Sequence, residues 1–429
     1  MKAAKQILRG WAVWGRTLMV VLILTGAGLP AVAESDGKEM AEGAALQYRG
    51  VVYDKNSNDP LMFATVAVVG TTIATVSNSE GEFLIKVPAE MNGASLVFSY
   101  IGYRKQTVAL SDLKAEGNRV GLEMTTVPLV EVSVFPNDPD LLIRAIMNRR
   151  DQNYLDQTAT KSAFYRETIK KGWNYVSLTE AVLDVYKQPY NSARSDQARL
   201  TIGRKSTDYD RLDTLVFRLQ GGPLAAMMLD IMKDPYAMFD EEMLEYYTFE
   251  LNNITREDER MLYVLGFKQK PEVRMPLFYG QLYVDSESLA IVNATFNMDI
   301  SNREEAARMF IRRKPAGARV YPTEASYMVT YREQNGKWFL GYARAQVAFR
   351  VNWRRRLFNT NYYTTMEMAF TDMQLTEERP FRGGDRLRMN VIMEDAVDGF
   401  KDDAFWGDYN VIEPEQPIEN AIRRIQRNL

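Results

Sequence analysis

The chain has 429 residues, 53 of them basic and 56 acidic, and it contains neither histidine nor cysteine. Those two absences exclude disulfides, thiol catalysis, His-ligated zinc or haem, and any nucleophile that needs an imidazole base. An enzyme would be confined to carboxylate-pair, Ser–Lys or Tyr/Lys chemistry, and no motif for these is present. Residues 1–33 read as an export signal: Lys2, Lys5, Arg9 and Arg16 precede the apolar run Thr17 to Leu24, and Ala31-Val32-Ala33 supplies a small-x-small cleavage site. Cleavage there leaves 49 of the 53 basic residues against all 56 acidic ones, a formal charge of −7. An acidic, exported chain is not expected to bind nucleic acid.

Residues 34–47 are Ala/Gly/Glu-rich and read as a flexible lead. Short strand-like runs follow at Gly50 to Tyr53, Ala64 to Val69, Glu82 to Val87 and Ser95 to Ile101, separated by Asn-, Gly- and Pro-rich links. Val120 to Met124 reads as a last strand. This pattern predicts a small antiparallel sandwich over 48–133.

The segment resembles the carboxypeptidase regulatory-like domain, a prealbumin-type sandwich found on many exported envelope proteins of Gram-negative bacteria. The resemblance rests on Gly50-Val51-Val52-Tyr53-Asp54, Asp59-Pro60-Leu61, Phe63-Ala64-Thr65-Val66, Gly70-Thr71-Thr72, Gly81-Glu82-Phe83 and Tyr100-Ile101-Gly102-Tyr103. Ala74 stands where the family has Gly, and Asn78 where it has Asp; Asn makes the same local turn bonds. The resemblance implies an accessory domain without catalysis of its own.

Beyond Phe135 to Pro139, Asp138 and Pro139 suit a helix start, with Leu142, Ile146 and Met147 at helical spacing behind them. Residues 137–400 then read as a larger antiparallel sheet or half-barrel with a few helices. Strands are expected at Ser162 to Ile169, Trp173 to Tyr186, Tyr246 to Leu251, Met261 to Lys268, Leu277 to Asp285, Ala290 to Asp299, Ala325 to Arg332, Trp338 to Phe349 and Thr360 to Phe370. Lys170-Lys171-Gly172, Asp285 to Ser288 and Glu333 to Lys337 supply tight turns between them. Helices are expected at Leu224 to Met232 and over 301–314. The fold class is thus mainly β. Residues 401–429 read as a polar, aromatic tail ending in a basic helix.

The expected ligand-binding set is Arg350, Trp353, Arg354, Arg355, Arg356 and Phe358, an aromatic–basic cluster suited to an anionic surface such as lipopolysaccharide, phospholipid head groups or acidic glycans. Arg312, Arg313 and Lys314 add a second basic patch. Met227, Met228, Met232, Met238 and Met243 form either ordinary core or the lining of a lipid groove near Tyr283 and Phe296. The acids at Glu304-Glu305, Glu377-Glu378, Asp402-Asp403 and Asp240 to Glu242 lack the spacing of a metal loop or a glycosidase pair. Neither a cofactor nor a metal is expected. The leading expectation is a non-catalytic accessory or binding protein of the periplasm or outer membrane, engaging a protein, glycan or lipid partner. A half-barrel lipophilic carrier and a carboxylate-pair hydrolase are the alternatives.

Overall fold

The computed structural model describes residues 45–125, 138–207, 219–235, 238–311, 317–354, 358–399, 403–415 and 418. The signal segment, the 419–427 helix and the 312–314 patch lie outside them.

The first part is a sandwich of two small sheets. β1 (Leu46–Asp54), β4 (Glu82–Val87) and β7 (Asn118–Leu122) make one sheet in the order β4-β1-β7. The other orders β3 (Ala74–Val76), β2 (Thr65–Val68), β5 (Ser95–Ser99) and β6 (Gln106–Ala109) as β3-β2-β5-β6. Alternate residues such as Val52, Val66, Val68, Phe83, Ile85, Leu96 and Phe98 interdigitate between the sheets. The family motif residues have physical duties here. A Cβ on Gly50 would lie 2.4 Å from the Asn118 carbonyl oxygen, so the close β1–β7 approach needs glycine. Asn78 Oδ1 accepts from the Glu80 and Glu82 amides, both at 2.9 Å, and Gly81 follows at φ 75°. Asn thus does the turn work of Asp.

The second part is one open antiparallel sheet of ten strands, as the alternating segments predict, and not a closed barrel. Its strands are β8 (Ala159–Lys171), β9 (Asn174–Lys187), β10 (Gln197–Thr207), β11 (Tyr247–Glu257), β12 (Arg260–Gln269), β13 (Phe278–Asp285), β14 (Ile291–Met298), β15 (Ala318–Gln334), β16 (Lys337–Trp353) and β17 (Thr360–Leu375). Their order is β10-β9-β8-β17-β16-β15-β14-β13-β12-β11. β10 and β11, consecutive in sequence, are therefore the two edges, while the first and last strands pair in the middle. The β15–β16 turn carries Asn335 at φ 53° and Gly336 at φ 75°, the geometry that a two-residue Asn-Gly hairpin requires.

One face of this sheet packs on helices. Helix Pro139–Asn148 starts as its sequence predicts: Asp138 Oδ1 accepts from the Asp140 and Leu141 amides, and Leu142, Ile143 and Ile146 are buried. Helix Gly222–Met227 is buried along its length, with Ile231, Met232 and Met238 in the same core. It contacts β10, β16 and β17, so it does not span a groove mouth beside Tyr283 of β13 and Phe296 of β14. Phe296 instead stacks on Tyr327 at 5.2 Å and packs edge-on to Phe278. Met227, Met232 and Met238 are core residues and Met243 packs at the margin, because the sheet face is wide enough to need a filling layer and the chain supplies one.

The opposite face carries the sandwich. Phe63 stacks on Tyr342 at 5.6 Å, Thr72 donates to Asp372 at 2.6 Å, and Arg332 donates to the Thr72 carbonyl at 2.6 Å. A second clasp uses the family's closing motif: the Gly102 amide donates to the Arg256 carbonyl at 2.8 Å, and the Asp258 amide to the Tyr103 carbonyl at 2.9 Å. Between sandwich and sheet runs the tail expected to be polar. In the structure Trp406, Val411 and Ile412 are buried there, because Asn410 pairs with both backbone groups of Lys86 and so fixes the tail along the open edge of β4.

Candidate functional site

The sandwich face of the sheet carries charged side chains where strand alternation places solvent-facing residues. Arg344 (β16), Glu367 (β17), Arg166 (β8), Glu180 (β9) and Arg204 (β10) lie opposite one another in register across five adjacent strands, alternating in sign. Glu180 accepts from Arg166 Nε and Arg204 Nε, both at 2.7 Å. Glu367 accepts from Arg166 and Arg344 at 3.4 Å and from Tyr342 Oη at 2.8 Å. Arg166 also donates to the Ile412 carbonyl at 2.6 Å. The docked sandwich and tail bury this ladder: the side chains of Arg166 and Glu180 are 2% and 1% exposed. Burial works to raise the Glu180 carboxyl, but the two guanidiniums outweigh it and hold the group below the ordinary range.

At the Arg344 end the sandwich and tail stop short, leaving a cleft of about 270 Å³. Its floor is Thr168 and Lys170 of β8, Arg344 and Gln346 of β16, and Tyr363 and Thr365 of β17; Tyr175, Glu415 and Trp173 form its sides. The acids are already engaged. Glu415 accepts from Ser79 at 2.5 Å and Tyr175 at 2.9 Å, and its carboxyl is held low by these bonds and by Arg166 and Lys170 against the upward pull of burial. Lys170 is different. Its ammonium sits 4.3 Å from the Tyr175 ring centre, and among the described residues no hydrogen-bond acceptor meets it. Burial pushes its pKa down and Arg344 adds to this, while the Glu415 carboxylate nearby pulls it back up. The cleft thus offers a cation, an amide and aromatic rings to an incoming polar group.

The sequence-expected cluster is only partly assembled. Arg350 and Arg354 are exposed, Phe358 is 83% exposed, and Trp353 is half-buried against the core. Arg355 and Arg356 lie outside the described residues. Register places Arg350 opposite Asn361, and hence on the same face as Tyr363 and the cleft, two residues further out. Sequence reading located this basic end but missed the cleft and the ladder. Both depend on β17 pairing with β8, which no local pattern announces.

On the helix face, Glu167 accepts from Tyr165 Oη at 2.8 Å. Burial, together with the charges of Glu394 and Asp395, pushes its carboxyl up to about 8, although the Tyr165 bond opposes the rise. The folded chain keeps this proton to about pH 8, while the unfolded chain releases it near 4.5. Stability is therefore expected to fall as pH rises between those values, by up to about 1.4 kcal/mol per pH unit. Glu167→Gln should flatten that limb in denaturation midpoints measured across the range; an unchanged slope would mean that Glu167 is already ionised. Among the described residues no group of three or more acidic side chains is arranged to hold a metal.

A sandwich docked on an open ten-stranded sheet, with a polar–aromatic cleft at the junction, defines a two-part β protein. Residues 48–134 match the family model of the CarboxypepD_reg-like domain, so the sandwich belongs to that class. The comparison with curated proteins returned no match. Among solved structures the chain is similar to a DUF1329 family protein from Desulfovibrio piger, with 12% identity, coverage of 57% of this chain and 96% of that one, and a TM-score of 0.25. It is also similar to lipovitellin, with 8% identity, 59% and 28% coverage and a TM-score of 0.24, in a structure concerned with lipid–protein interactions. A 9R-lipoxygenase from Cyanothece follows, at 11% identity, 43% and 45% coverage and a TM-score of 0.14. Likenesses this low carry no functional argument.

Proposed function

We propose that the chain is an exported, non-catalytic binding module of the cell envelope, and that the cleft beside the sandwich receives a polar group of its partner. The observation that carries this reading is the electrostatic state of the cleft: its acids are satisfied internally, whereas Lys170 faces it with no hydrogen-bond acceptor among the described residues. The chain's lack of histidine and cysteine supports a binding role over catalysis. The export signal supports a periplasmic or outer-membrane location.

Crosslinking followed by affinity recovery from envelope extracts tests the proposal. Tyr363→Ala combined with Lys170→Ala is expected to reduce recovery of the principal partner roughly tenfold or more, the effect of losing one charge-assisted hydrogen bond, with the unfolding midpoint little changed. Equal recovery by both proteins would remove the cleft from consideration. A lipophilic-carrier role would instead require the segment from Leu219 to Pro235 to leave the helix face, which its own side chains now fill.

A further inference from the structure

Trp173 is the most exposed large hydrophobic side chain of the described residues, at 98%, and Phe358 follows at 83%. Neither contributes to a core. Both sit at the same end of the sheet, Trp173 at the β8–β9 turn and Phe358 just before β17. The two loops are tied together, since the Gly172 amide donates to the Asn361 carbonyl at 2.9 Å. Cations lie at the same end of the sheet. Arg350 and Arg354 are exposed, and Arg319 of β15, also exposed, lies opposite Asn352 and so on the same face as Arg350. The nearest acids along these strands, Glu324 and Glu367, lie further in.

We propose that this end of the sheet docks on an anionic lipid surface, with Trp173 and Phe358 entering the interfacial layer and Arg319, Arg350 and Arg354 meeting lipid phosphates. An indole and a phenyl standing free on two separate loops suit a plane that yields to them. Aromatic rings at the headgroup level combined with flanking cations are the two contributions that make reversible membrane association stable. Trp173 borders the cleft, but the proposal needs only its outward ring and not a ligand in the cleft.

Cosedimentation of the chain with vesicles of phosphatidylcholine and phosphatidylglycerol, and with vesicles of phosphatidylcholine alone, tests it. Binding is expected to the anionic vesicles, weakening with salt. Trp173→Ala and Phe358→Ala should each weaken it about tenfold or more, as expected for an aromatic side chain withdrawn from an apolar layer. Arg350→Glu with Arg354→Glu should weaken it several-fold, and Tyr363→Ala should leave it unchanged. Trp173→Phe should retain binding while abolishing the fluorescence blue shift that accompanies it. Failure to bind either vesicle, or equal binding by wild type and both aromatic variants, would overturn the proposal. Capture by soluble polygalacturonate with vesicles ignored would also overturn it, and would mark the tip as a glycan site.

Discussion

Replacement of Glu180 by alanine is expected to destabilise the fold by about 3–5 kcal/mol, the cost of removing the shared partner from a buried ion-pair network. Glu180 is the only acid between Arg166 and Arg204 in the register across β8, β9 and β10, and it receives a hydrogen bond from each. Removing it leaves two guanidiniums side by side beneath the sandwich and tail. The measurement is the denaturant midpoint, and the informative control replaces all three residues together, Arg166→Met, Glu180→Leu and Arg204→Met. Recovery of most of the lost stability would show that the damage lay in the broken ion-pair network. A midpoint unmoved by Glu180→Ala would mean that water or tail carbonyls already satisfy the arginines. The low carboxyls of Glu180 and Glu415 also set the acid limb: the stability they contribute is present above the ordinary glutamate pKa and is lost as pH falls below it. With Glu167 acting in the opposite sense at higher pH, stability should peak in mildly acidic solution.

The second large effect is expected at Asp230, in the layer on the opposite face. Its carboxylate, 2% exposed, accepts from Tyr190 at 2.7 Å, Tyr331 at 3.0 Å and Lys187 at 3.2 Å, and its Oδ1 also receives the Lys233 amide. It is the point at which the segment following helix Gly222–Met227 is pinned to β9, β15 and the Tyr190 loop. Asp230→Ala leaves two buried phenols without an acceptor and Lys187 with Asp196 alone. A loss of about 3–5 kcal/mol is expected, together with proteolytic cutting near residues 219–235 and binding of an apolar dye as the helix layer loosens. Intact protection of that segment would show that packing alone holds it.

Much of this architecture is legible in the sequence because alternation survives in strands with one buried face. β8, β9 and β11 to β17 each coincide with an expected run, although the runs for β9, β11, β13 and β14 overshoot the strand by one residue at one or both ends. β10 escapes because its apolar alternation is confined to Ala198, Leu200 and Ile202, with no apolar side chain from Gly203 to Thr207: Arg204 supplies the ladder, and residues 387–398 cover the strand's free edge. β3 escapes because three residues carry no period. The site is harder still. Arg166, Glu180 and Glu367 are ordinary solvent-face residues by local pattern, and become buried only because a separate domain and a tail from the far end of the chain settle on them. The aromatic–basic cluster was visible, being contiguous in sequence, but its relation to the cleft rests on the pairing of β17 with β8.

That pairing also fixes an order of events. β8 lacks one neighbour until β17 has been synthesised, and the sandwich lacks its cover until residues 404–415 have followed. Such distant pairing folds slowly, since closure over a long chain precedes the contacts that reward it. A chain stalled or cut before residue 360 exposes an open strand edge and an undressed sandwich, both of which invite aggregation. Arrival of residues 360–415 is thus the step that closes both of these surfaces.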